Sequence, residues 1–214
     1  MKSSKSGTGK EPSDQNLQPD FGTYHHSTAQ ESEELRQKVK GLFIEAFDDL
    51  PFSRDSRLKI LDIGCGIGFL SCLCAEYYPK SLVTAFDNFE DPSLKKSSLA
   101  KAKFNAKILG FSKRIRFQKK DFFEANYRRG RYDLFVSNLV FHNFGRRRLK
   151  AYESLAKWMT PESYVLLGDL FHDYKTDFKL LTSLFGVVQE KSDDSDIGRV
   201  FKILMLSDPK NRPS

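Results

Sequence analysis

No apolar run in this sequence approaches the ~18 residues that a membrane-spanning helix needs. The first twenty residues are rich in Lys, Ser, Gly, Pro and Gln and lack the apolar core of a secretory leader. No membrane partner is expected, and the expected location is cytoplasmic. Cysteine is scarce too. The three cysteines, Cys65, Cys72 and Cys74, are odd in number and close together, which argues against a disulfide framework. Cys72 and Cys74 stand two apart and share no helix face, so no metal pair is expected. Internal repeats are absent. With 214 residues, the chain is long enough to bury a sizeable core without such staples.

What the sequence does have is a glycine-rich stretch around which the rest is organised. Residues 59–71 read Lys-Ile-Leu-Asp-Ile-Gly-Cys-Gly-Ile-Gly-Phe-Leu-Ser. Ile60, Leu61 and Ile63 form a short apolar run of the kind found in buried parallel strands. Gly64, Gly66 and Gly68 follow at alternate positions, and a helix-like segment comes next. Strand, glycine turn and helix make a cradle for an adenosine cofactor, with glycine allowing close approach and the helix supplying free N–H groups. A dinucleotide fingerprint would place its third glycine where Phe69 stands. Asp62, two residues before Gly64, suits a cation better than a pyrophosphate. A glycine turn without a ligand remains the plainer alternative.

Residues 58–63 are expected as the central strand and 68–78 as the first crossover helix, stopped by Pro79. A second strand over 82–86 ends at Asp87, nineteen residues past Gly68. That is the place of a ribose-binding carboxylate, although a helix cap is its plainer role. Asn88 stands beside it. A helix is expected from Asp91-Pro92 to Leu109, closed by Gly110. Later strands are expected over 114–118, 132–137 and 164–168, with an antiparallel pair over 186–189 and 200–206 joined by an acidic turn at 192–198.

This order of motifs resembles the class I S-adenosylmethionine-dependent methyltransferases, with residues 62–68 as their motif I, D/E-x-G-x-G-x-G. The resemblance spans residues 58–206. It implies a three-layer, doubly wound, seven-stranded, mostly parallel α/β sheet with an antiparallel last strand. It also implies S-adenosyl-L-methionine as cofactor and S-adenosyl-L-homocysteine as product. Carried over position by position, it makes Asp62, Gly64, Cys65, Gly66, Gly68, Asp87, Asn88, Asp121, Phe122 and Asn138 donor-binding residues. Residues 137–144 resemble motif IV, but Leu139 and Val140 replace the prolines of base- and glutamine-methylating enzymes. His142, just past the fourth strand, is the first candidate for a catalytic base, with His172 and Tyr24 behind it.

The expected organisation is a disordered tail over 1–20, an accessory helix and flap over 21–57, the methyltransferase domain over 58–208 and a frayed end over 209–214. The helix of the accessory segment is capped by Thr28 or Ser27. The net charge of +7 is uneven: residues 94–131 carry thirteen Lys and Arg against Asp121 and Glu124. That stretch is either a solvated face or an attraction for RNA or an acidic substrate. Arg146, Arg147 and Arg148 at an expected helix start, against the dipole preference, either point into solvent or hint at an acidic acceptor group. A small or acidic molecule is thus the leading acceptor. RNA or protein is the alternative, and a non-catalytic scaffold the third reading. Oligomeric state is not legible.

Overall fold

The computed structural model describes residues 17–192 and 201–210. Most of the expected N-terminal tail, most of the acidic turn at 192–198 and the last four residues lie outside the described residues. The chain runs α1 (Ala29–Asp48), β1 (Lys59–Ile63), α2 (Phe69–Tyr77), β2 (Leu82–Asp87), α3 (Leu99–Ile108) and β3 (Ile115–Lys119). It continues through β4 (Leu134–Asn138), α4 (Arg148–Trp158), β5 (Tyr164–Leu170), α5 (Tyr174–Leu184), β6 (Phe185–Lys191) and β7 (Phe201–Pro209). The strands form one sheet in the order β3-β2-β1-β4-β5-β7-β6. β7 runs antiparallel to both its neighbours, and the other pairings are parallel.

Two apolar clusters cover the two faces. On one, α1, α2 and α3 pack on the sheet; on the other, α4 and α5 do. The start of α1 is fixed locally. Thr28 Oγ1 accepts from Glu31 N–H at 3.1 Å, and Glu31 Oε2 accepts from Thr28 N–H at 2.7 Å, a reciprocal box that satisfies two otherwise orphaned donors. Its buried stripe of Val39, Leu42, Phe43, Ala46 and Phe47 follows helical spacing. Phe43 sits so close to β5 that a Cβ on Gly168 would stand 2.9 Å from its ring.

Two expectations are corrected. The helix expected from Asp91 begins only at Leu99, capped by Ser98. Residues 93–95 spend their backbone groups on the N-terminal segment instead. His25 N–H donates to Ser93 O at 2.7 Å, Lys95 N–H donates to Thr23 O at 3.2 Å, and Tyr24 bridges Leu94. Lys96 at φ +57° then lies outside helical geometry. Similarly, Arg146 and Arg147 belong to a 3-10 turn, Phe141–Arg147, kinked at Gly145, and only Arg148 opens α4.

Candidate active site

The sheet order reverses between β1 and β4, and ligands bind at such switch points beyond the carboxyl ends of strands. A cavity of about 820 Å³ opens there, within the ~300–1,000 Å³ typical of small-molecule sites. Of the eleven site residues expected from sequence, all but Gly68 line it.

The glycine turn is built by close approaches. Gly64 and Cys65 N–H groups both donate to Phe86 O, at 2.9 and 3.0 Å. Gly64 has φ +69°, and a Cβ there would stand 2.4 Å from Val140 Cγ2. Gly66, at φ +48°, donates its N–H to Asp87 Oδ2 at 2.8 Å. Gly68 is the exception. At φ +91° it caps α2 from behind the cavity wall, where a Cβ would meet the Phe117 ring at 3.0 Å. Its described contacts are those of the turn, and it does not line the cavity.

Three carboxylates stand around this turn. Asp87 Oδ1 also accepts from Phe89 N–H at 2.6 Å. A carboxylate offers about four lone-pair positions, so two stay available to further donors. Burial holds the Asp87 carboxyl above its ordinary range despite those two backbone donors. Asp62 is only 1% exposed and accepts from the Ser71 hydroxyl. Burial, with the negative Asp87 adding to it, pushes its carboxyl up to about 7. Asp121 accepts from Phe123 N–H at 2.7 Å, and Asn88 Oδ1 from Glu90 N–H at 3.0 Å. Phe122 lies in an aromatic cluster with Phe86, Phe141, Phe144 and Trp158. Cys65 is buried, and burial raises its thiol far out of reactive range.

Beyond β4 the chain turns sharply. Leu139 holds φ +58° while its N–H donates to Gly168 O at 2.8 Å; a non-glycine residue in this region carries about 1–3 kcal/mol of strain. Asn138 Oδ1 is buried and accepts from no group among the described residues. His142 follows. Its backbone N–H donates to Asp169 Oδ2 at 3.1 Å, and its Nδ1 lies 2.5 Å from Asp169 Oδ1. Asp169 is almost fully buried at the end of β5, while the His142 ring is 20% exposed. With Nδ1 occupied, Nε2 is the nitrogen left for other partners. Asp169 falls one position past the strand expected over 164–168 and is not among the expected site residues. The signal that could have found it is an acid ending an apolar parallel strand, on the side where ligands bind. The other two base candidates fare differently: Tyr24 lines the cavity, and His172 is exposed and does not.

The segment before α1 lies across the glycine turn. Phe21 packs edge-on against Phe69, with ring centroids 5.5 Å apart. A Cβ on Gly22, at φ +76°, would stand 2.9 Å from Ile67 Cδ1. Arg36, buried on α1, donates to Gly22 O and Phe21 O at 2.8 and 3.3 Å. Asn105 Nδ2 donates to both Asp20 O and Ile67 O, at 2.9 and 3.0 Å. The three arginines thought to address an acidic group do not line the cavity. Arg148 is held by Asp177 at 2.8 Å, and Arg147 lies 3.6 Å over the Phe123 ring.

Comparison with known proteins decides the family. A family model described as a methyltransferase domain matches residues 54–203. The chain belongs to the class I S-adenosylmethionine-dependent methyltransferases. A malonyl-[acyl-carrier protein] O-methyltransferase from Halalkalibacterium halodurans is 25% identical over 143 residues, covering 65% of this chain and 50% of the relative. A ribosomal RNA small subunit methyltransferase C from Buchnera aphidicola is 37% identical over 94 residues, covering 43% of this chain and 24% of the relative. The chain thus spans about half the length, or less, of these curated relatives. The plantazolicin methyltransferase BpumL, solved with its bound SAH, matches with a TM-score of 0.61 at 16% identity, over 85% of this chain and 86% of that one; this likeness shows the fold. The methyltransferase's residues fit the cofactor the family implies. The turn at Gly64 and Gly66 leaves no room for a Cβ, Asp87 keeps lone pairs free, and Asn138 Oδ1 waits unpaired beside Gly64's neighbour Val140. Among the described residues no group of His, Cys, Asp and Glu could hold a metal ion, and no helix is long and apolar enough to cross a membrane.

Proposed function

We propose that this chain transfers the methyl group of S-adenosylmethionine to an oxygen of a small-molecule acceptor that gives up a proton, releasing S-adenosylhomocysteine. The observation that carries this reading is the His142–Asp169 pair, in which His142, just beyond β4, lines the cavity and Asp169 backs it from β5. The donor, when bound, supplies a methyl carbon already activated on a sulfonium. The protein's share is then alignment and proton removal. On this reading Asp87 accepts the ribose hydroxyls, Asp62 faces the ammonium, and Asp121 with Phe122 holds the adenine. Asp169 fixes the His142 tautomer with Nδ1–H toward itself, which leaves Nε2 as proton acceptor.

The relative named for a malonyl acceptor supports oxygen as the receiving atom. RNA is less well supported. Of the thirteen cations in residues 94–131 only Lys120 lines the cavity, and several are spent locally. Lys101 pairs with Asp20, Lys119 with Glu90, and Arg131 lies over Tyr127 and Tyr132. The test is tritiated-methyl transfer into fractionated cell extract, run with wild type, His142→Gln and Asp169→Asn. Label in the small-molecule fraction is expected, with turnover reduced about 10²–10⁴-fold in His142→Gln while donor binding persists. Label confined to RNA or protein, or full turnover by His142→Gln, would overturn the proposal.

A further inference from the structure

The cavity has two halves, and they differ in charge. The donor half lies beyond β1, β2 and β3 and carries Asp62, Asp87, Asp121 and Lys120. The other half lies beyond β4 and β5 and at the start of β7, roofed by α1 and the segment before it. Leu170 pairs directly with Phe201 across β5 and β7. These two line the cavity with Leu35 of α1, and with Leu139, Val140 and His142 after β4. Among the described residues no Lys or Arg lines this half. Lys120, the one lysine on the cavity wall among the described residues, follows β3, three strands from β4. At ~4.8 Å per strand spacing this is about 14 Å away, and its Nζ lies over the Tyr127 ring, 5.0 Å from the centroid. Among the polar lining groups His25, His26 and Glu31 are exposed, while Asn138 ends β4 with its Oδ1 buried. Glu31 is committed to the cap of α1.

Resting on the proposed function, we infer that the acceptor is an uncharged aromatic hydroxyl compound, a phenol, whose ring sits in the apolar half against Leu35, Leu170 and Phe201 with its oxygen toward His142. Two independent arguments meet here. A carboxylate or phosphate acceptor brought into this half finds no fixed cation among the described residues to replace its water, and burying such a charge unpaired is prohibitive. Among neutral hydroxyls, the base selects by acidity. A phenol near pKa 10 is more acidic by roughly five to six units, about 10⁵-fold, than an aliphatic hydroxyl comparable with water near 15.7. The phenol therefore leaves His142 a proton transfer some ~10⁵-fold less uphill. In the step, the phenolic oxygen bonds the methyl carbon and the carbon–sulfur bond breaks, its electron pair staying on sulfur. The hydroxyl proton passes to His142 Nε2 and on to water. The products are an aryl methyl ether, a neutral thioether and one proton.

The experiment binds and methylates matched probes with the full chain: 2-naphthol, cyclohexanol and malonyl-pantetheine, each titrated with S-adenosylhomocysteine present and then assayed with S-adenosylmethionine. Binding and methylation of 2-naphthol at least tenfold better than of the other two is expected. Leu170→Asp, which places a carboxylate in the apolar half, is expected to weaken 2-naphthol at least tenfold with S-adenosylhomocysteine affinity unchanged. Preferred methylation of cyclohexanol that still depends on His142 would overturn the phenol inference while the base reading stands. Preferred methylation of malonyl-pantetheine without dependence on His142 would overturn both. Absence of 2-naphthol binding to protein that holds S-adenosylhomocysteine would overturn the inference by itself.

Discussion

With Asp62 in its proposed role facing the ammonium, donor affinity should depend on pH. Its carboxyl is pushed up to about 7 by burial, with a negative neighbour at Asp87. A carboxyl raised in the folded state is most comfortable neutral. Its contribution to stability is full below the unfolded value of 3.8 and is lost as pH rises through about 7. Binding runs the other way, because an ammonium needs the ionised form. Between pH 6 and pH 8 the ionised fraction climbs from about a tenth to about nine-tenths. Affinity for S-adenosylhomocysteine, which keeps the ammonium, should rise roughly ninefold, about 1.3 kcal/mol. The single tryptophan, Trp158, packs 5.3 Å from Phe122 on the cavity wall, so its fluorescence offers a readout across the pH series. In weak buffer at pH 6, an indicator dye should report close to one proton released per ligand bound. Asp62→Asn should flatten both responses. A pH-independent affinity in the wild type, or an equal slope in Asp62→Asn, would refute the reasoning.

Gly64→Ala combines a left-handed φ of +69° with a Cβ 2.4 Å from Val140. It should cost about 2–4 kcal/mol in urea unfolding, and adding Val140→Ala should recover only the steric share. Arg36→Met removes the donor that holds Phe21 O and Gly22 O. Local protection of the His25 and Lys95 N–H groups in hydrogen exchange should fall by about 1–3 kcal/mol, with global stability changed less.

Much of the sheet was legible because each parallel strand is a short apolar run, and Asp62, Asp87 and Asp121 end or flank such runs at family spacing. The start of α3 was not. Asp91-Pro92 carries a helix-start signal, yet the backbone of residues 93–95 is claimed by partners some seventy positions earlier, Thr23 to His25. Local propensity cannot report a long-range pairing. The arginines after Gly145 misled for a related reason. Their charge is absorbed by buried Asp177 and by the Phe123 ring, both distant in sequence. His142 was visible as a residue, but its pairing with Asp169 was not, because 27 positions separate them and only the β4–β5 pairing brings them together.

The most direct measurement is calorimetry of S-adenosylhomocysteine titrated into folded protein, alongside Asp87→Ala. The account predicts one site per chain in the wild type. In Asp87→Ala, loss of charge-assisted bonds worth about 1.5–3 kcal/mol should weaken that site by roughly ten- to a hundredfold. Circular dichroism would verify that the variant keeps its fold. A flat wild-type titration at millimolar ligand, or equal affinity in Asp87→Ala, would contradict it.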